Sequence, residues 1–124
     1  MRLSGVFAPI CTPFDESGNV HYSALRENLA KYTLGGLKGF VVCGSTGEAP
    51  FLGQEEKRKL YQFVRENGDG SVLIAGTATE SVRETLGLLH DAAKLAYDAA
   101  LVITPHYYRS QMSRPETQAS FFEW

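Results

Sequence analysis

Hydrophobic positions fall into two kinds of segment. Four short runs rich in β-forming residues, Gly5 to Ile10, Gly39 to Cys43, Ser71 to Ala75 and Ala99 to Ile103, begin roughly 28 to 34 residues apart, the length of a strand–helix unit. They are apolar runs rather than alternations, which suits strands covered on both faces. Their β-branched content and flanking glycines favour strand over buried helix. Helical spacing fills the gaps. A first helix is predicted from His21 to Leu34, with Tyr22, Leu25, Leu29 and Tyr32 on one face. A second runs from Gln54 to Glu66, with Leu60, Phe63 and Val64 inward, Glu55 and Glu56 at the positive end, and Asn67-Gly68 as its stop. The third opens on a Ser81/Glu84 capping box and carries Val82, Leu86, Leu89, Ala93 and Ala96 as a single stripe. A fourth is predicted to begin near Ser113, with Pro115 in its first turn.

The resulting order, β-α-β-α-β-α-β followed by helix 4, calls for parallel strands and right-handed crossovers. Four such units make half of a (β/α)8 barrel, which typically needs about 250 residues. An open flavodoxin-like sheet is the competing architecture. The fold class is therefore α/β, with the first half of a TIM barrel preferred. Residues 1–124 are read as one domain, since that length leaves no room for two cores.

Composition narrows the function. The 12 Lys+Arg and 14 Asp+Glu give a formal charge of -2, so no basic face points to nucleic acid. No apolar run is long enough to span a membrane, and the start has neither a signal peptide's apolar core nor a transit peptide's Arg/Ser-rich stretch. Cys11 and Cys43 are too few for a disulfide scaffold or zinc site and read as small buried side chains. The three histidines show no ligand spacing, so no metal is expected.

Chemistry collects after the strands. The four turns are Cys11-Thr12-Pro13-Phe14, Gly44-Ser45-Thr46-Gly47-Glu48, Gly76-Thr77-Ala78-Thr79-Glu80 and Thr104-Pro105-His106-Tyr107-Tyr108-Arg109. In a parallel α/β fold all of them emerge on one rim. Ser45-Thr46 between glycines is suited to hold a carboxylate or phosphate through N–H and O–H donors. Turn chemistry and helix capping are the plainer reading of any one turn alone. Neither a Walker loop nor a G-x-G-x-x-G fingerprint is present.

Gly44-Ser45-Thr46-Gly47-Glu48, Thr12-Pro13-Phe14 and Thr104-Pro105-His106-Tyr107-Tyr108 resemble the dihydrodipicolinate synthase/N-acetylneuraminate lyase family, class I aldolases on a TIM barrel. The resemblance runs from about Ser4 to Trp124. Glu48 to Leu52 and Tyr107 to Met112 lean toward its 4-hydroxy-2-oxoglutarate aldolase branch. It implies Schiff-base chemistry on pyruvate or a related 2-oxo acid, with no cofactor, in a dimer or tetramer. By resemblance, Ser45 matches a hydroxyl that relays protons and touches substrate, and Thr46 matches the residue that grips the pyruvate carboxylate. Tyr107 matches a catalytic tyrosine that reaches across a dimer interface. His106 and Tyr108 depart from the residues many relatives carry. Arg109 reads as a solvated surface arginine.

The resemblance also implies that a fifth-strand tyrosine and a sixth-strand Schiff-base lysine lie past Trp124. The expectation is thus an amino-terminal half that does not form the Schiff base alone. Lys31, Lys57, Lys59 and Lys94 fall on predicted helices and Lys38 precedes the second strand, so none is expected at the pocket. A half-barrel would expose two edges and an apolar inner face, calling for self-association. His21 reads as a helix-boundary residue, His90 as surface, and His106 as structural, while Glu48 and Glu80 are expected to hold backbone N–H groups. Tyr97 is expected at a left-handed helix end where relatives usually place glycine. The cytosol is the expected compartment, with the mitochondrion as an alternative. Two further functional readings are a non-catalytic remnant or interaction module that keeps the rim, and an anion-binding flavodoxin-like domain.

Overall fold

A computed structural model describes residues 3–123. Its strands are β1 (Phe7–Pro9), β2 (Gly39–Val42), β3 (Val72–Gly76) and β4 (Ala99–Leu101). Helices α1 (Tyr22–Leu34), α2 (Gln54–Asn67) and α3 (Val82–Lys94) connect them, and α4 (Arg109–Met112) and α5 (Pro115–Phe121) follow. All three strand pairings are parallel. The sheet order is β1-β2-β3-β4. A flavodoxin-like sheet reverses its strand order at a switch point. Here there is no reversal, and the array is that of a half-barrel. Among the described residues no helix is long and apolar enough to cross a membrane.

The ladder runs Phe7↔Gly39↔Val72, with Pro9, Val41, Ile74 and Ala99 one period further on. Gly39 is required by close approach: a Cβ there would lie 2.1 Å from the Val72 carbonyl oxygen and 2.9 Å from the Phe7 ring. Side chains alternate across a strand. Phe40, Val42, Leu73 and Ala75 are buried in one cluster with Leu25, Leu29, Leu60, Val64, Leu88 and Ala92 of the helices. Each such large side chain contributes about 1.5–3 kcal/mol on burial. Val41 and Ile74, pointing the other way, are only half-buried. Apolar residues at the edges, Val6 and Leu101, stay exposed. The expectation of strands covered on both faces therefore fails for the inner face, because no second layer lies against it among the described residues.

Helix faces follow the sequence pattern unevenly. In α1, Leu25 and Leu29 are fully buried. Tyr22 packs on Phe63 and Tyr32 on Phe40, flanking them. His21 caps this helix, its Nδ1 accepting from the Ala24 N–H at 3.2 Å. Helix α2 buries Leu60 and Val64, but also Tyr61 and Lys57, while Phe63 is half-exposed. Tyr61 belongs inside because its hydroxyl donates to the Gly76 carbonyl at 2.7 Å.

In α3 the buried residues are Thr85, Leu88 and Ala92. Leu86 and Ala93 of the predicted stripe are exposed. Its apolar residues form one broad face that also includes Thr85, and the Thr85 hydroxyl, 3.1 Å from that of Thr79, helps select the part of that face that turns inward. The predicted fourth helix is α5, with Pro115 at its start, preceded by the separate turn α4.

The end of α3 also corrects the expectation for Tyr97. Ala96, not Tyr97, is left-handed, with φ 55°. The Ala96 N–H donates to the Ala93 carbonyl and the Tyr97 N–H to the Ala92 carbonyl, the Schellman pattern that places a left-handed residue just past the cap. Tyr97 instead packs its ring on Tyr61 and donates its hydroxyl to the Tyr61 carbonyl at 2.9 Å. An alanine at positive φ is disfavoured where glycine is not. Ala96→Gly should therefore raise stability by about 1 kcal/mol, read as a higher midpoint in urea unfolding; a lower midpoint would contradict the left-handed assignment.

Candidate functional site at the strand ends

Parallel pairing carries the ends of the strands to one rim, and a cavity of about 610 Å³ opens there. Its lining draws Ser45 from the second turn, Thr79 and Glu80 from the third, and His106 and Tyr107 from the fourth. Thr46 sits beside Ser45 but is not part of this lining. The first turn contributes from behind: the buried Thr12 hydroxyl donates to the Gly47 carbonyl at 2.7 Å and ties turn one to turn two.

The rim hydroxyls divide by what they touch. Thr12 is engaged as described. The Thr79 hydroxyl bonds the Ser81 carbonyl and accepts the Ser81 N–H, so it shapes the entry to α3. The Ser45 and Thr46 side chains are exposed and have no hydrogen-bond partner among the described residues, nor does the Tyr107 hydroxyl. Those three remain open to a ligand.

Backbone geometry around Ser45 is unusual. Residues Ser45–Gly47 form a 3-10 turn bracketed by two left-handed non-glycine residues, Cys43 at φ 57° and Glu48 at φ 56°. Each such residue costs of order 1–3 kcal/mol and persists only where its surroundings hold it. Close packing does so here. A Cβ on Gly76 would lie 2.2 Å from the Cys43 carbonyl oxygen, so β3 presses directly on the start of the turn.

Two sequence expectations need correction. Cys11 is exposed, whereas Cys43 is buried. Cys11 sits just past the strand, where the chain has left the core. Lys57 is 6% exposed and lines the cavity, although no lysine was expected there. The reason is local: α2 begins only a few residues after the second turn, so its first turn lies at the carboxyl ends of the strands. The Lys57 ammonium makes no ion pair among the described residues. Its signal in the sequence was position, three residues into a helix that starts at the rim.

In the fourth turn, Glu80 accepts the N–H groups of His106 and Tyr107, both at 3.1 Å to Oε2. Glu80 Oε1 also pairs with His106 Nδ1 at 2.9 Å. Glu80 thus holds backbone N–H groups as expected, while exposed Glu48 holds none among the described residues. Tyr107 and Tyr108 stand edge-to-face, with centroids 5.1 Å apart. No group of three potential metal ligands occurs among the described residues.

Burial pushes the Cys43 thiol up to about 12, only partly offset by the nearby Lys57 charge. Cys43 is therefore a neutral packing group, not a nucleophile. The unfolded chain releases this proton at a lower pH than the folded chain. The associated stability is complete below about pH 9 and is lost as pH rises toward about 12. Tyr61 and Tyr97, also pushed up by burial, act in the same direction. Ellman's reagent should modify Cys11 rapidly and Cys43 only on unfolding, and thermal stability should fall above pH 9. Rapid labelling of both thiols would contradict the buried position of Cys43.

Comparison with known proteins places the chain in a family. Residues 2–121 match the model of the dihydrodipicolinate synthetase family. The 4-hydroxy-tetrahydrodipicolinate synthase of Methanothrix thermoacetophila is 40% identical over 105 residues, covering 85% of this chain and 35% of that protein. The crystal structure of dihydrodipicolinate synthase from Aquifex aeolicus superposes with a TM-score of 0.86 at 34% identity, over 98% of this chain and 39% of that one. A prophage protein of the same family from E. coli K12, solved in complex with pyruvate, gives a TM-score of 0.87 at 26% identity, over 96% of this chain and 39% of its own. The chain thus spans between 35% and 39% of the length of these relatives. With four parallel strands arranged as the first half of a TIM barrel and a family match along almost its whole length, the chain belongs to the dihydrodipicolinate synthase/N-acetylneuraminate lyase family of aldolase-type lyases.

Proposed function

We propose that this chain supplies the carboxylate-gripping and proton-relay part of a site for pyruvate or a pyruvate-derived 2-oxo acid. The observation that carries the reading is the convergence of Ser45 and Tyr107, from two different turns, on one cavity with unengaged hydroxyls. Thr46, on the same turn as Ser45, offers an exposed hydroxyl and a backbone N–H, both donors suited to a carboxylate. A serine hydroxyl both donates and accepts, so Ser45 can pass a proton between a phenol and the substrate. The pyruvate complex of the E. coli relative supports this ligand class.

Tyr107 is 77% exposed, which suits a side chain that completes its contacts in a neighbouring subunit of a homo-oligomer. The Glu48–Leu52 and Tyr107–Met112 segments favour the 4-hydroxy-2-oxoglutarate aldolase branch of the family. No Schiff-base role is assigned to the lysines of this chain. Lys31 and Lys59 stand on α1 and α2, Lys94 ends α3 and Lys38 precedes β2, none of them in the cavity lining, whereas Lys57 borders the cavity from a helix rather than from a strand end. The chain alone is therefore read as a binder of the 2-oxo acid that does not turn it over.

Titration with pyruvate, followed by amide NMR, should move the Ser45 and Thr46 resonances. Thr46→Val should weaken that response about tenfold through loss of a bond to a charged acceptor. An unchanged midpoint would remove Thr46 from the reading. Borohydride reduction with pyruvate should leave every lysine unmodified by mass spectrometry, and modification of Lys57 would show that the chain carries a Schiff-base amine of its own.

A further inference from the structure

The fourth turn presents Tyr107 to the cavity although the turn itself has little packing to hold it. His106, Tyr107 and Tyr108 are all exposed, and the α4 turn that follows buries none of its residues. A loop so placed samples several conformations unless polar contacts restrain it. One side chain supplies those contacts. The Glu80 carboxylate takes the His106 N–H on both oxygens at 3.2 and 3.1 Å, the Tyr107 N–H at 3.1 Å, and the His106 ring at 2.9 Å.

Glu80 is itself held in place. It precedes Ser81, the residue whose hydroxyl caps α3 by accepting from Glu84. The Thr79 hydroxyl bonds both the N–H and the carbonyl of Ser81 and reaches the buried Thr85 on α3. Hydrogen bonds thus fix Thr79 and Ser81, the two chain neighbours of Glu80, to each other and to α3, and so hold the backbone from which Glu80 meets residues 106 and 107. An exposed ion pair is worth little alone. A carboxylate that also accepts two backbone N–H groups fixes a direction as well as a distance.

We infer that Glu80 is a positioning residue for Tyr107, locking the fourth turn to the N-terminus of α3, with His106 as the side chain that completes the lock. This rests on the reading of Tyr107 as a functional residue. It extends that reading by assigning the third turn a task that neither the family match nor the cavity lining gives it. Glu80 touches no reacting atom. Its effect passes through the backbone that carries the phenol.

The intact 124-residue chain tests this by NMR. In the unmodified chain the His106 and Tyr107 amides, both bonded to the Glu80 carboxylate, should exchange slowly for a loop so exposed. Rapid exchange at both would overturn the assignment, whatever the variants do. Glu80→Ala should speed hydrogen exchange at both amides about tenfold or more and shift the Tyr107 ring resonances. Glu80→Gln, which keeps an acceptor oxygen, should recover part of the protection. Strand amides in β2 and β3 should be unaffected. Unchanged exchange at residues 106 and 107 in Glu80→Ala would refute the lock. Pyruvate titration of the same samples keeps the two readings apart: a chain that ignores pyruvate but retains the Glu80-linked amides loses the functional role of Tyr107, not the clamp.

Discussion

Parallel pairing between consecutive strands is the constraint from which the rest of this molecule follows. Because β1 through β4 run the same way, every strand must be followed by a crossover helix, and every turn leaving a strand opens on the same rim. Gly39 permits this at one end of the ladder by letting the Val72 carbonyl approach where any Cβ would collide. Gly76 does the same at the other end, where β3 meets the Cys43 carbonyl. The second contact has chemical consequences, since it presses on the turn that carries Ser45 and helps to hold Cys43 in a left-handed conformation that its side chain disfavours.

A rim rich in hydroxyls is not the same as a rim of functional hydroxyls. Thr12 joins two turns, and Thr79 organises the start of α3. Thr12 braces the second turn through the Gly47 carbonyl while Ser45 and Thr46 stay unengaged, an arrangement suited to binding because a braced donor needs little reordering when a ligand arrives. Thr77 is fully buried, and its hydroxyl has no partner among the described residues, although its N–H donates to the Leu101 carbonyl.

Much of the fold was legible because strand and helix leave different periods in a sequence. The β-branched runs, the α1 face built on Leu25 and Leu29, the Ser81 cap and the Gly68 stop are local signals with local causes. What escaped was decided at longer range. The inward face of α3 depends on Thr85 finding Thr79, which no spacing within the helix reveals. The left-handed residue at its end is Ala96 rather than Tyr97 because the Schellman bonds count back from the cap, and without a glycine the position carries no marker. Burial of Lys57 follows from where α2 begins relative to the rim. At the site, the gathering of Ser45 and Tyr107 followed from topology. That Glu80 would hold backbone N–H groups was legible, but which ones, and the separation of Thr46 from the cavity lining, required coordinates, because both depend on how adjacent turns lean.

The central claim is that one mouth, shared by the second and fourth turns, receives the carboxylate of a 2-oxo acid. A crystal structure of the chain soaked in pyruvate addresses it most directly. Density for the ligand should lie against the Ser45–Thr46 turn, within the cavity that Tyr107 also borders. Pyruvate bound elsewhere, or Ser45 and Tyr107 on separate faces of the molecule, would contradict it.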